Sequence, residues 1–198
     1  MPDIRYELYP TPFGHGAVVA GREGVVEVFL PFGCDSAEAA LHGVMEGYPD
    51  SLRGGEVPSL AAAELEGYFC GRVRGFSVPL DLRHLTPFQR RVCLQVNSIG
   101  YGMVSSYGEV ARRVGSPGAA RGVGGVMAAN RLPILIPCHR VVSSCGEMVG
   151  YSGSGGIASK RVLLQLEGVS FATFSRVIFG GDIAFFSQKT LDRHGRGK

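Results

Sequence analysis

The 198-residue chain is predicted to adopt an α+β fold, and three observations predict it. Short β-prone segments broken by glycine occupy the N-terminal third. Helical apolar spacing takes over further along. A tight Gly-Ser-Pro turn then joins two short helices in the middle of the chain.

Residues 4–8, 15–21 and 24–30 carry Val, Ala, Phe and Tyr between Gly14, Gly16, Gly21 and Gly24, and read as antiparallel strands joined by turns. Residues 36–45 read as a helix with Ser36 as N-cap. A loop follows over 48–58, then a helix over 60–69 with apolar residues at helical period. Residues 76–82 are extended, and Pro79 restricts them to an edge or irregular strand. These elements make a small α/β domain over 1–82. A linker at 83–87 leads into a second domain over 83–169, and residues 170–198 form a C-terminal extension of unassigned role.

Thr86 caps the next helix with Pro87 at its first position. Residues 107–114 form another, stopped by Gly115, and Ser116-Pro117 opens a third that reads AARGVGGVMAAN. This pair fits a helix-turn-helix or an ordinary helix hairpin. The third helix is rich in glycine, and each glycine costs roughly 1 kcal/mol relative to alanine in a helix interior. Close approach to another backbone, either a neighbouring helix or a nucleic-acid groove, would offset that cost. Arg121 is the one long side chain in the run.

Hydrophobic residues make up 45% of the chain and charged residues 19%, enough for a packed core and too apolar for a disordered chain. No apolar run reaches membrane-spanning length, and the N-terminus lacks a signal-like core. Five cysteines without a CxxC pair argue against a disulfide framework or zinc ribbon, and for a reducing cytosol. The net charge of +3 conceals an asymmetry. Residues 1–86 hold six Arg against twelve Asp or Glu, whereas 87–161 hold eight Arg and one Lys against two Glu. So basic a central segment suits a polyanion, or a solvated surface.

The chemistry concentrates at Pro137-Cys138-His139-Arg140, directly after the apolar run LPILI. Thiolate is the reactive form of cysteine, and a neighbouring base or cation populates it. Adjacent residues point apart, so Cys138 and His139 communicate more naturally through a water than directly. Taken alone, Cys138 reads first as an inert buried thiol, the commonest fate of a free cysteine, and its surroundings reverse that reading.

The segment LPILIPCHRVV, preceded by AARGVGGVMAAN and followed by GYSGSGG and KRVLLQLEG, resembles the methylated-DNA–protein-cysteine methyltransferases. The likeness is close from about residue 60 to 169, taking in GYFCGRVRGFSVPLDL and TPFQRRV, and looser over 1–59. It implies a ribonuclease-H-like N-terminal domain with an antiparallel sheet, then a mostly helical, winged-helix-like domain containing the helix-turn-helix. It also implies irreversible transfer of an alkyl group from 6-O-alkylguanine, and 4-O-alkylthymine, to the protein, once per molecule and without cofactor or metal. The partner would be double-stranded DNA containing alkylated bases. The protein would be a cytoplasmic, nucleoid or nuclear monomer.

The resemblance assigns Cys138 as alkyl acceptor, His139 as its water-relayed base and Glu167, in the following helix, as the carboxylate orienting His139. Asn130 would brace the helix-turn-helix against the site. Tyr107 would contact the base and its phosphate, and Arg121 would fill the gap left by an extruded base. Gln89, Ser116 and Ser144 fall at DNA-backbone contacts, and Val141 where a carbonyl reads the base. Ser152 or Ser154 lies near the substrate oxygen, depending on the direction of counting, and Ser152 keeps the Tyr-Ser-Gly run intact. Cys34, His15 and His42 lack ligand spacing, so no structural zinc is expected. Cys145 reads as a bystander. The extension suggests a hairpin around Gly180-Gly181. Alternative readings are a non-catalytic damage sensor, a helix-turn-helix regulator and a cysteine hydrolase.

Overall fold

The computed structural model describes residues 4–173 and 176–177. Strands β1 (Arg5–Thr11), β2 (Gly14–Gly21) and β3 (Gly24–Phe29) form the predicted antiparallel meander. The loop expected over 48–58 instead contains β4 (Leu52–Arg53), which pairs in parallel with β1 and completes a sheet of order β3-β2-β1-β4. Helix α1 (Ala37–Gly47) starts where Ser36 accepts from the Ala39 amide. Helix α2 (Glu56–Phe69) begins four residues before the predicted start. Pro58 falls in its first turn, where no intrahelical N–H is required, so the proline is tolerated. The extended segment around Pro79 lies along β3, with Val25 N–H donating to Pro79 O and Asp81 N–H to Val25 O.

Helix α3 (Pro87–Asn97) carries a complete capping box between Thr86 and Gln89. Strand β5 (Ser105–Ser106) leads directly into α4 (Tyr107–Arg113), whose N-terminus Ser106 caps. Gly115 ends that turn at φ +76°, with Gly115 N–H on Arg112 O and Ser116 N–H on Ala111 O, the Schellman pattern that favours glycine. The third helix, α5 (Ala120–Ala128), starts later than Ser116-Pro117 implied, after a six-residue connection. A 3₁₀ turn (Cys138–Arg140), β6 (Val141–Val142, parallel to β5) and α6 (Gly156–Leu166) follow. Glu167 is the C-cap of α6 rather than a residue within it. Strands β7 (Phe171–Thr173) and β8 (Arg176–Val177) pair antiparallel. The hairpin expected around Gly180-Gly181 lies outside the described residues.

The fold is therefore mixed α+β. One apolar cluster runs across the 82/83 boundary, joining Tyr9, Leu65, Tyr68 and Phe69 to Val92, Leu135 and Cys138. Burying such side chains stabilises by roughly 1.5–3 kcal/mol each. Because this core is shared, α2 of the N-terminal half packs directly behind the Cys138 turn. Among the described residues, no helix is long and apolar enough to cross a membrane.

Candidate active site

The turn that carries Cys138 is held from behind. Asn130 Nδ2 donates to Ile136 O at 2.9 Å, and its Oδ1 accepts from Leu132 N–H at 3.0 Å. Between them Ile134 adopts φ +73°, a left-handed conformation that costs a β-branched residue roughly 1–2 kcal/mol. The apolar Leu132–Ile136 segment is buried, so core packing opposes relaxation of this turn.

Cys138 lies at the floor of a cavity of ≈ 470 Å³, walled by Tyr107, Arg121, Gly124, Met127, Tyr151 and Ser152 among others. Burial pushes the Cys138 thiol up, while the Asn130 amide, the Lys160 ammonium and the Tyr151 hydroxyl act in the opposite direction. The thiol therefore rests protonated, and a base is needed to ionise it. Lys160 is almost wholly buried, donates to Val141 O at 2.6 Å and is lowered by burial to about 8.

His139 is fully buried. Its Nε2 lies 2.8 Å from Glu167 Oε1. Arg140 holds both carboxylate oxygens of Glu167 at 2.9 Å, the Gly102 amide donates to Oε2 at 3.1 Å, and Tyr68 donates to Oε1 at 2.7 Å. Gly102 has φ +74°, and a Cβ there would lie 2.9 Å from Glu167 O, so the close approach needs glycine. Burial raises the Glu167 carboxyl, but His139 and Arg140 outweigh it and hold it well below the usual carboxylate range. Burial lowers His139 despite its carboxylate partner, so the imidazole is neutral near pH 7. The buried Nδ1 of His139 has no hydrogen-bond partner among the described residues.

The structure brings together Cys138, His139, Glu167 and Asn130, with Tyr107, Arg121 and Ser152 on the cavity wall. Burial raises the Tyr107 hydroxyl, which donates to Val149 O at 3.4 Å. Ser154 is engaged elsewhere, donating to Phe32 O at 2.7 Å. Val141 is buried behind the thiol, with its carbonyl on Lys160, and does not line the cavity. Gln89 spends its amide oxygen on the Thr86 N–H at 2.8 Å, leaving its NH₂ as donor. Ser116 is half-buried in the turn before α5, and Ser144 is exposed at the tip of the turn after β6. Sequence reasoning missed Tyr68, Lys160 and Tyr151. That Lys160 is the only lysine before residue 189 was the one available signal. Among the described residues, no group of three or more His, Cys, Asp or Glu side chains is arranged to hold a metal ion.

Among the described residues, no close packing requires the glycines of α5. A Cβ at Gly125 would meet open space, at Gly124 it would meet the Tyr107 ring at 4.0 Å, and at Gly122 it would meet Phe88 of α3 at an ordinary 3.5 Å. No neighbouring helix among the described residues approaches closely enough to require them, and the thin face of α5 points outward beside the cavity mouth.

A concealed thiol, backed by an imidazole–carboxylate pair and opening beside the α4–α5 helix pair, is the arrangement of a protein with a cysteine nucleophile. The family model described as "6-O-methylguanine DNA methyltransferase, DNA binding domain" matches residues 87–169. The methylated-DNA–protein-cysteine methyltransferase of Mycobacterium tuberculosis (strain ATCC 25618 / H37Rv) is 48% identical over 170 residues, covering 83% of this chain and 92% of that protein. The crystal structure of the Mycobacterium tuberculosis O6-methylguanine methyltransferase superposes with a TM-score of 0.66 at 34% identity, covering 83% and 92% of the two chains. That of Mycobacterium tuberculosis OGT in complex with DNA gives 0.66 at 32% identity, covering 83% and 93%. The chain belongs to the methylated-DNA–protein-cysteine methyltransferases.

Proposed function

We propose that Cys138 is the cysteine that receives the alkyl group in the family's reaction, the direct-reversal repair of alkylated DNA. The carrying observation is the Cys138 thiol at the floor of the cavity beside α5, with the unpartnered Nδ1 of the neighbouring, carboxylate-oriented His139 behind it. Glu167 accepts at Nε2, so Nε2 carries the hydrogen and Nδ1 the lone pair. Nδ1 takes the thiol proton through one water. The thiolate attacks the alkyl carbon, an S–C bond forms, the C–O bond breaks, and the electron pair returns to the base. Tyr107 supplies a proton to the departing base. The thioether has no route back, so each molecule acts once.

An alkylated base stacked in a duplex cannot reach a buried thiol, so it is extruded into the cavity at a cost of a few kcal/mol. Arg121, exposed at the cavity mouth, fills the gap left in the stack. The narrow glycine-and-alanine face of α5 suits the minor groove, which is only about 6 Å wide. The Gln89 NH₂, Ser116 and Ser144 contact the phosphate backbone, and Ser152 lies near the substrate oxygen. Val141 stands at the position where a carbonyl reads the base in the family, although here that carbonyl accepts from Lys160. The ribonuclease-H-like and winged-helix-like descriptions, the division 1–82, 83–169 and 170–198, action as a monomer on double-stranded DNA, acceptance of 4-O-alkylthymine, and a cytoplasmic or nucleoid location complete the reading.

Incubation with 6-O-benzylguanine, followed by intact mass, tests it. One benzyl group per molecule is expected, with loss of the adduct in Cys138→Ala. Repeated turnover without a stable adduct would instead indicate a hydrolase.

A further inference from the structure

We propose that the hairpin after α6, formed by β7 and β8, braces the loop over 143–151 and so sets how firmly the cavity grips its base. The effect on grip rests on reading the Cys138 cavity as the base pocket; the brace itself does not. That loop leaves β6 and turns back, with Ser143 N–H on Glu147 O at 2.9 Å and Glu147 N–H on Ser143 Oγ at 2.8 Å. It then delivers Val149, Gly150 and Tyr151 to the cavity wall. Its root is fixed by the pairing of β6 with β5. Its tip is held by β8: Val177 N–H donates to Gly146 O at 3.0 Å, Arg176 Nε donates to Cys145 O at 3.0 Å, and Glu147 bridges antiparallel to Arg176.

Packing reinforces the backbone contacts. Val177 is 2% exposed and shares an apolar cluster with Met148, Val104, Val142, Leu164 and Val169. The hairpin is in turn seated on α6, where the Arg161 guanidinium lies 4.4 Å from the centre of the Phe171 ring. Met148 is therefore clamped immediately before the wall residues begin. Val149 itself is half exposed, and Tyr107 Oη on Val149 O is a long 3.4 Å contact, so Val149 and Gly150 have little of their own to hold them, whereas Tyr151 beyond them packs against the main core. Segments with few buried contacts open locally at low free-energy cost, and a brace at one end limits that opening.

Full-length Val177→Asp and Arg176→Ala are compared with the unaltered chain by hydrogen exchange and by the dependence of the alkylation rate on 6-O-benzylguanine concentration. Exchange over 143–151 is expected to accelerate by about tenfold in Val177→Asp and less in Arg176→Ala, with α3 and α5 unchanged. The half-saturating concentration rises about threefold or more while the limiting rate stays within about twofold, the pattern of weakened binding rather than weakened chemistry. Unaltered exchange in folded Val177→Asp overturns the brace. Should that variant fail to fold, Arg176→Ala decides on the same readout, because its side chain meets the loop at a backbone carbonyl. Exchange that responds as expected, with no adduct even in the unaltered chain, overturns the effect on grip through the pocket reading and leaves the brace standing.

Discussion

Glu167 Oε1 lies 2.8 Å from His139 Nε2, and this contact decides which imidazole nitrogen can accept a proton. The carboxylate is itself held by Arg140, Tyr68 and the Gly102 amide, so the ring has one orientation and one favoured tautomer. In Glu167→Gln that tautomer is no longer enforced and the Arg140 guanidinium loses its buried counter-charge. Stability falls by about 3–5 kcal/mol, as when a buried pair loses one member. The alkylation rate falls by at least about 10²-fold, consistent with lost general-base assistance. Thermal melts and single-turnover kinetics measure the two effects separately.

The same carboxylate makes stability depend on acid. Its folded pKa is held below the unfolded value, so its contribution is fully present above the ordinary carboxylate range. The contribution is lost as pH falls through that range toward the depressed value. Denaturant melts from neutral to acidic pH therefore show a fall in stability that is shallower in Glu167→Gln.

Lys160 gives the reaction an alkaline limit. Burial lowers its ammonium to about 8, and the charge it faces is the thiolate that Cys138 becomes once ionised. Transfer is expected to rise from the acid side as His139 loses its proton, below the ordinary imidazole value, and to decline above about pH 8. Lys160→Arg, which stays charged, removes the alkaline decline. Lys160→Met lowers the rate near neutrality by about tenfold, roughly the loss of one favourable partly screened charge. A profile for Lys160→Met that matches the unaltered protein would show the cation to be irrelevant to the thiol.

Arg121 separates chemistry from base extrusion. It sits at the cavity mouth, away from the His139–Glu167 pair. Arg121→Ala is expected to react with free 6-O-benzylguanine at an unchanged rate, while its reaction with alkylated duplex slows by about 10²-fold, the equivalent of a few kcal/mol of unstacking left uncompensated. Equal slowing on both substrates would place Arg121 in the chemical step.

Tyr68 tests whether the N-terminal half supports the site. Its hydroxyl donates to Glu167 at 2.7 Å from α2. Tyr68→Phe removes that donor while Arg140 and Gly102 still hold the carboxylate, so stability drops by about 1–2 kcal/mol and transfer is retained within about tenfold.

Much of this arrangement is legible in the residues themselves. Thr86-Pro87 announces α3, Gly115 ends α4, and Pro137-Cys138-His139-Arg140 marks the reactive turn. What escaped has physical reasons. Strand β4 is two residues long and owes its pairing to β1, so nothing local signals it. Helix α2 began early because a proline in a first turn looks the same in sequence as one that breaks a helix. Tyr68 reads as one more apolar position on α2, and only the tertiary fold sets it beside a carboxylate 99 positions away. Lys160 and Tyr151 are drawn to the thiol by the return of α6 and its preceding loop, which no spacing rule encodes.

The most direct measurement is a stoichiometric incubation of folded, reduced protein with duplex DNA carrying a single 6-O-methylguanine, read by peptide mapping and by the state of the DNA base. One methyl group on Cys138, together with restored guanine, is the expected result. An unmodified Cys138 beside a persisting lesion, or a methyl group on any other residue, would contradict its role as the acceptor.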